Sequence, residues 1–267
     1  MLKLILCEFQ KLKRKRFVWL VIAASFLFPI PLTVIVYYYN AALGKYETSA
    51  AAFDALWQSV IGFGMLMLLP CILGILAAIL FFMERDNDTF KNLRTIPVTS
   101  AQTVISKCIV LLLFSVLFCL SSTAASLLCG SFFFEVTGIF YKLGFSAAEG
   151  ILIFLGALPL VLLIVFFNKS FLFSILLCVF YSMFNLLFTF AMPWMPKALV
   201  FLMPTPSLML WGAAQTAAHV IANDAKDLQM FIENGLIPST PQLLLTLGAI
   251  GTVSVFGAIY YYQKRGD

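Results

Sequence analysis

The sequence predicts an all-α integral membrane protein that crosses the bilayer six times. Of its 267 residues, 62% are hydrophobic and 15% aromatic, whereas only 11% are charged. A soluble domain carries about 25% charged residues, and it uses them to cover much of its surface. This chain has too few charged side chains for such a surface, so lipid is expected to be its main solvent.

Six long uncharged runs give the number of crossings. A spanning helix needs about 20 predominantly apolar residues, because its backbone polar groups must be satisfied within the segment. Only three residues separate the fourth run from the fifth, which predicts a tight antiparallel hairpin. The predicted spans are residues 17–38, 56–82, 108–134, 150–167, 171–190 and 243–262.

The distribution of charge predicts the orientation. Lys and Arg favour the cytoplasmic side of short loops. With both termini in the cytoplasm, thirteen of the seventeen basic residues lie inside and seven of the twelve acids outside. The outer loops then hold four bases and seven acids, a net charge of −3, and Asp54, Lys142 and Glu149 are among them. Lys107 is placed near the inner edge of its span and Glu149 near an outer edge, so the span interiors are predicted to contain no ionisable residue. That prediction argues against proton coupling within the chain.

The first 16 residues predict an amphipathic helix at the inner membrane surface. Leu2, Ile5, Phe9 and Leu12 form one apolar stripe on a helix, and most of the other residues are basic. The stripe is expected to lie in lipid, with Lys and Arg toward anionic headgroups. A simple cluster of charges that sets the topology is the alternative.

The loop of residues 83–99, between the second and third spans, is the only substantial cytoplasmic loop. Its acids precede its bases, an order that suits the dipole of a short helix. Pro97 is expected to end this helix, and Thr99 or Ser100 to cap the helix that follows. Such a helix predicts a docking surface for a cytoplasmic partner, and an ordinary solvated loop is the alternative.

Residues 191–241 form the longest predicted outer segment, and much of it is apolar. Four prolines, at positions 193, 196, 204 and 206, prevent a continuous span. Broken apolar segments are tolerated at membrane depth only against protein or beside a cavity, so short helices that dip into the outer leaflet are expected. Trp194 and Trp211 suit that interface. A seventh and partial eighth span is the alternative.

The chain has no evident catalytic chemistry. Its six cysteines lie mostly in apolar runs without a CxxC pair, so they are interpreted as buried hydrophobic residues rather than metal ligands. The only histidine, His219, has no evident partner, and no phosphate-binding loop occurs. Asn185 is interpreted as a residue that hydrogen-bonds between helices. Nucleic-acid binding is excluded because the basic residues line the membrane edges. Any energy source must therefore be another subunit.

Two segments carry a resemblance to a known family. The opening MLKLILCEFQKLKRKRFVWL and the loop ERDNDTFKNL at 84–93, followed by Pro97 and Lys107, resemble permease subunits of type-2 ABC exporters, in particular the lantibiotic-immunity and bacitracin-resistance branch. The resemblance covers essentially the whole chain. Asp88 departs from it, because relatives often carry glycine there.

The resemblance implies a transport subunit of the bacterial plasma membrane that is not itself an enzyme. The chain itself would bind no cofactor, because ATP would be bound by cytoplasmic ATPase subunits, two in number. Six spans would form half of a pore completed by an identical or sister permease. The substrate would be a membrane-active peptide antibiotic. Another amphipathic or lipid-like substrate, a secondary carrier or channel, and a membrane enzyme or scaffold are the alternatives. The residues implied to contact the ATPase are Glu84, Arg85, Asp86, Asn87, Thr89, Phe90, Lys91, Asn92 and Leu93.

Overall fold

Six helices are long and apolar enough to cross a membrane, as predicted, and no strand occurs among the residues described. The computed structural model describes residues 1–14, 16–86, 98–167, 171–217, 219 and 231–266. An N-terminal helix, Leu2–Arg14, precedes the first span. The spans are span 1 (Phe17–Leu43), span 2 (Ser49–Phe82), span 3 (Ser100–Gly130), span 4 (Ile139–Phe166), span 5 (Phe171–Trp194) and span 6 (Thr240–Lys264).

Spans 2, 3 and 4 form the centre of the bundle. Between 61% and 72% of their most apolar stretches is buried, against 22% to 28% for spans 1, 5 and 6. The outer three spans instead expose large apolar side chains, including Leu20, Ile35, Phe180 and Phe256. A water-soluble monomer rarely exposes such extensive apolar surface, whereas a bilayer solvates it readily. The chain is therefore a multi-pass membrane protein.

Contacts between elements distant in the sequence define two ends of the bundle. At the end that carries both chain termini, called here the terminal end, the Phe81 ring lies 6.0 Å from the Tyr262 ring. At the opposite end, called the far end, the Glu135 amide donates to Ser49 Oγ at 3.1 Å. Span 2 ends at the terminal end, and residues 195–217 follow span 5 at the far end.

Local sequence explains where several spans begin and end. Span 1 consists of two helices, Phe17–Ser25 and Pro29–Leu43, and Pro29 suits the first turn of the second one because that position needs no donated amide. Gly44 ends span 1 at φ +56°, a conformation that glycine adopts without strain. Span 3 begins with Thr99, which forms a capping box with Gln102. Thr99 rather than Ser100 is therefore the cap, which decides between the two predicted candidates.

Span 2 changes its helical geometry in the middle. It starts as an α-helix at Ser49–Ser59, continues as a π-helix over Val60–Leu68, and returns to an α-helix at Leu69–Asp86. π-Helical turns are rare, and they occur frequently at functional sites. Gly62 and Gly64 lie within the π-helical stretch.

Short helices occupy the segment after span 5. Span 5 ends in a 3-10 turn at Met192–Trp194, and helices at Lys197–Leu202 and Pro204–Thr216 follow it. No further helix long enough to span the membrane is present in the described ranges, so the alternative of additional spans has no support there. Trp194 is 85% exposed, but Trp211 is buried, stacks on Phe145 and donates to Thr240 Oγ1 at 3.0 Å. Trp211 is therefore covered by protein, and its depth in the membrane stays a prediction.

Three spans begin well before the residues that hydropathy predicts. Span 2 starts at Ser49 rather than near residue 56, span 3 at Ser100 rather than near residue 108, and span 4 at Ile139 rather than near residue 150. The added turns of spans 2 and 4 contain Asp54, Lys142 and Glu149, all of them buried. The prediction that these residues lie in outer loops is wrong, and so is the prediction of span interiors without ionisable groups.

Candidate functional site

The predicted ATPase-coupling segment lies at the terminal end of span 2. Glu84, Arg85 and Asp86 form the last turn of its helix. The rest of the predicted contact lies outside the described residues, namely Asn87, Thr89, Phe90, Lys91, Asn92 and Leu93. The contact with an ATPase therefore stays a prediction.

The N-terminal helix is packed partly on protein. Leu12 is fully buried, and the Phe9 ring lies 5.8 Å from the Phe114 ring of span 3. Ile5 also packs against the core, whereas Leu2 is 73% exposed. The expectation that the whole stripe lies in lipid is therefore wrong, because its second half is covered by the bundle.

A buried ionic contact fixes this helix next to the coupling segment. Lys107 Nζ in span 3 donates to the Leu80 carbonyl of span 2 at 2.7 Å and approaches Glu8 Oε2 at 3.4 Å. Glu8 also accepts from Lys11 at 2.5 Å, and both Glu8 and Lys107 are buried. One lysine thus joins the N-terminal helix to the two spans that flank residues 83–99.

A second buried ion pair joins spans 2 and 4 near the far end. Lys142 Nζ lies 2.6 Å from Asp54 Oδ1 and 2.6 Å from the Thr137 carbonyl. The ammonium also faces the rings of Phe53 and Trp57, at 4.8 and 5.5 Å from their centroids. Polar and cation–π contacts together offset the cost of burying this charge.

A groove of about 700 Å³ lies between span 2 and span 5, beside the π-helical stretch. One of its walls reaches the outer surface of the bundle, where Phe63 and Phe190 are 48% and 66% exposed. Apolar residues such as Leu66 and Met209 form much of the remaining wall. Its polar lining consists of Lys45, Glu47, Thr48, Gln58, Ser59, Ser182, Asn185, Thr189 and Thr205. A groove with both characters suits an amphipathic ligand.

Asn185 belongs to this groove rather than to a contact between helices. Its side-chain amide donates to the Tyr181 carbonyl one turn earlier on span 5, at 2.9 Å. The contact to a neighbouring span is made by the Tyr181 hydroxyl, which donates to the Gly156 carbonyl of span 4 at 2.8 Å. The predicted interhelical role of Asn185 is wrong in that respect.

A second cavity, of about 400 Å³, lies next to the groove on the side of span 4. Glu149 lines it together with Phe145, Thr216 and Phe231. The two cavities share the lining residues Gln58, Gly62, Leu66, Thr189, Phe190 and Met209. The groove and the second cavity are therefore adjacent parts of one site.

Other reactive side chains are dispersed. All six cysteines are free, and Cys108, Cys119 and Cys178 are buried as interpreted from the sequence, but Cys7 is exposed. The His219 ring packs on the Tyr141 ring at 4.3 Å. In the ranges described, no group of three or more His, Cys, Asp or Glu residues is placed to hold a metal ion.

The buried charges of this site were missed because they adjoin polar loops in the sequence. Asp54 follows the run SAAAF, whose alanines favour a helix and could have indicated that span 2 begins early. Lys142 lies about one turn and Glu149 almost three turns into a helix that starts at Ile139. Hydropathy alone ends a span where charges begin, whereas a helix can continue if its charges are paired.

The six apolar spans define a multi-pass membrane protein. Residues 4–185 match the family model described as ABC-2 family transporter protein, and the chain belongs to this family. No curated protein matches the chain. The protein is thus a permease subunit of an ABC transporter, a membrane component that works with a separate ATPase subunit.

Proposed function

We propose that the chain is the permease of an exporter that removes a membrane-active peptide antibiotic, lantibiotic or bacitracin-like, from the bilayer and so gives immunity or resistance. The groove between spans 2 and 5 is the observation that carries this proposal, since it faces the lipid and offers both polar and apolar walls. The resemblance of residues 84–93 to the antibiotic-resistance branch supports the choice of substrate.

The groove suits uptake from the membrane rather than from water. Phe63 and Phe190 are exposed on a bundle surface that lipid solvates, so an apolar ligand reaches the groove without leaving the hydrocarbon. Hydroxyl and amide groups of span 5, including Ser182, Asn185 and Thr189, then offer partners to its polar groups. Lys45 and Glu47 line the far-end mouth. Amphipathic peptides have the required combination of surfaces.

ATP supplies the energy through the partner ATPase. In this proposal the segment 84–93 seats in a groove of that subunit, with ATP as its cofactor and two ATPases per transporter. Lys107 supports the idea, because it joins the N-terminal helix and spans 2 and 3 into one unit beside the segment. A push on the segment would then move these elements together, as in other rigid-body transitions.

The proposed assembly contains two permeases, identical or sister chains, in a bacterial plasma membrane with all termini cytoplasmic. Span 1 supports this, since only 22% of its most apolar stretch is buried within one chain and none of its residues lines the groove. The predominance of Lys and Arg on the terminal side supports the orientation.

An export substrate of a different amphipathic or lipid-like kind is the second candidate. The same groove favours it, because its walls set amphipathic character but not peptide chemistry. Susceptibility assays separate the two candidates. A strain that lacks the permease should become several-fold more sensitive to at least one lantibiotic or bacitracin, and unchanged sensitivity to all of them would refute the peptide proposal.

A substitution in the groove tests the site itself. A Cβ on Gly62, which lines both cavities, meets no atom within 4 Å, so Gly62→Leu should fill the groove without a clash. Gly248→Leu on span 6 is the matched control, because its Cβ is equally free and it lies outside the groove. We expect resistance to fall with Gly62→Leu and to persist with Gly248→Leu, at equal protein levels. Equal resistance of the two variants would contradict a role of the groove.

Charge reversal tests the coupling. Glu84→Lys and Lys91→Glu should abolish co-purification of a phosphate-loop ATPase, while the permease keeps its elution volume and melting temperature. Normal co-purification and normal resistance in both variants would refute the coupling role of the segment.

A further inference from the structure

Glu149 carries a buried acceptor that the bundle does not satisfy. Its side chain is 1% exposed, and Oε2 has no hydrogen-bond partner in the described part of the chain. A buried carboxylate oxygen without a partner is unfavourable for folding, and native structures retain few of them. Intramembrane acids are commonly functional for this reason.

The nearest cation along span 4 is held elsewhere. Lys142 lies about two helical turns before Glu149, and its ammonium contacts Asp54 Oδ1 and the Thr137 carbonyl, each at 2.6 Å. No ion pair to Glu149 occurs among the residues described. The charge of Lys142 is thus matched by Asp54, and Glu149 is the acid of this region that the bundle leaves unpaired.

Glu149 lies in the wall of the second cavity, together with groups that favour a cation. Phe145, Phe190 and Phe231 line it, and the negative face of an aromatic ring attracts an ammonium or guanidinium group. Thr189 and Thr216 add hydroxyl oxygens. An anion would be repelled by the carboxylate, and a neutral apolar group would leave its oxygen unpaired. The volume of about 400 Å³ suits one charged group with its neighbouring atoms.

We propose that Glu149 binds the ammonium or guanidinium group of a cationic amphipathic substrate in this cavity, while the apolar part of the substrate lies in the adjoining groove. Gln58, Gly62 and Thr189 line both spaces, so one molecule can occupy them together. This inference rests on the proposed function, since it assigns a charge to the substrate of that groove.

Two fluorescent probes with the same fluorophore and linker, one charged and one neutral, test the inference. Monodansylcadaverine carries a primary ammonium on an apolar fluorophore, and its N-acetyl derivative is neutral. Binding of each is measured by fluorescence anisotropy with the full chain in nanodiscs of uncharged lipid, against empty nanodiscs. A charge-assisted contact predicts at least about tenfold tighter binding of the ammonium probe.

Glu149→Gln keeps the size of the side chain and removes its charge. It should abolish the preference for the ammonium probe and leave binding of the acetyl probe unchanged. Glu135→Gln is the matched control, because it removes the same charge from an exposed position at the far end that lines neither cavity, and it should keep the preference. A preference that survives Glu149→Gln would overturn the inference, and so would equal binding of the two probes or binding of neither.

The binding assay needs neither an ATPase nor an antibiotic, so it fails independently of the proposed function. A charge preference lost with Glu149→Gln, in a permease whose deletion changes no antibiotic sensitivity, would leave the cation site standing and refute the peptide substrate. Normal antibiotic resistance of Glu149→Gln cells, together with lost probe preference, would refute the use of the site in that transport.

Discussion

The buried pair of Asp54 and Lys142 offers a sharp test of how this bundle is held together. Lys142→Met keeps the length and apolar volume of the lysine stem but leaves Asp54 without the cation that lies 2.6 Å from its carboxylate. Removing one partner of a buried pair typically costs about 3–5 kcal/mol, because the other charge stays buried and uncompensated. The two side chains are 2% and 1% exposed, so solvent screening does not reduce this cost substantially.

The double replacement Asp54→Asn with Lys142→Met should recover most of the loss. It removes both charges, and neutral substitutes for a buried pair are often close to neutral in stability. The coupling energy of the double-mutant cycle should therefore be on the order of 2–3 kcal/mol. Lys197→Met is the matched control, since this lysine is exposed at the same end of the bundle, and it should change stability by less than about 0.5 kcal/mol.

Thermal unfolding of the purified permease measures these differences. Tryptophan fluorescence is a suitable signal, because the Trp57 ring lies 5.5 Å from Lys142 Nζ and reports directly on the pair. For a chain of this size, a loss of about 3–5 kcal/mol lowers the melting temperature by on the order of 10 °C. If Lys142→Met melts with the wild type, or if the double variant is no more stable than either single one, the pair does not hold spans 2 and 4 together.

Three further predictions address other contacts. Gly150→Ala should lower the free energy of unfolding by about 1–3 kcal/mol, because the added Cβ would lie 3.0 Å from the backbone of span 3. In the control Gly144→Ala, on the same helix, the Cβ meets nothing within 4 Å and should not destabilise the protein. Equal melting temperatures of the two variants would contradict this close approach. Glu8→Gln weakens the contact between the N-terminal helix and Lys107. Limited trypsin digestion in detergent should therefore release this helix faster from the variant than from the wild type. An unchanged digestion rate would argue that the contact does not hold the helix. Cys7 is the exposed cysteine in the N-terminal helix, so a membrane-impermeant maleimide should label it in inside-out vesicles and not in intact cells. If intact cells are labelled, and cells with the Cys7→Ser variant are not, the proposed orientation is reversed.

The buried charges have a consequence for how transport energy is interpreted. The sequence argued against proton coupling from the expected absence of ionisable residues in the spans, yet spans 2, 3 and 4 contain Asp54, Lys107, Lys142 and Glu149. ATP is inferred as the energy source from membership of the ABC-2 family instead. Structural pairing accounts for three of these residues, because each of them contacts an opposite charge. Glu149 is the exception and therefore the better candidate for a role in binding.

The sequence alone determined the fold class and the number of spans, and it narrowed the cap of span 3 to Thr99 or Ser100. These features depend on local properties, namely the length of apolar runs and the side chain that precedes a helix, and both can be read without knowing the neighbours. The amphipathic character of the N-terminal helix was equally visible. The resemblance of the chain to a permease family also depended on residues that lie close together in the sequence.

The tertiary structure alone decided which charges are buried and which apolar faces are covered. Lys107 is compatible with a span because Leu80 and Glu8, 27 and 99 residues away, supply its acceptors. Leu12 belongs to the buried core of the bundle, and residues of the π-helical stretch and of span 5 line the groove together. Such pairings depend on residues distant in sequence, and the free energy of a buried charge is set by its partners rather than by its own hydropathy.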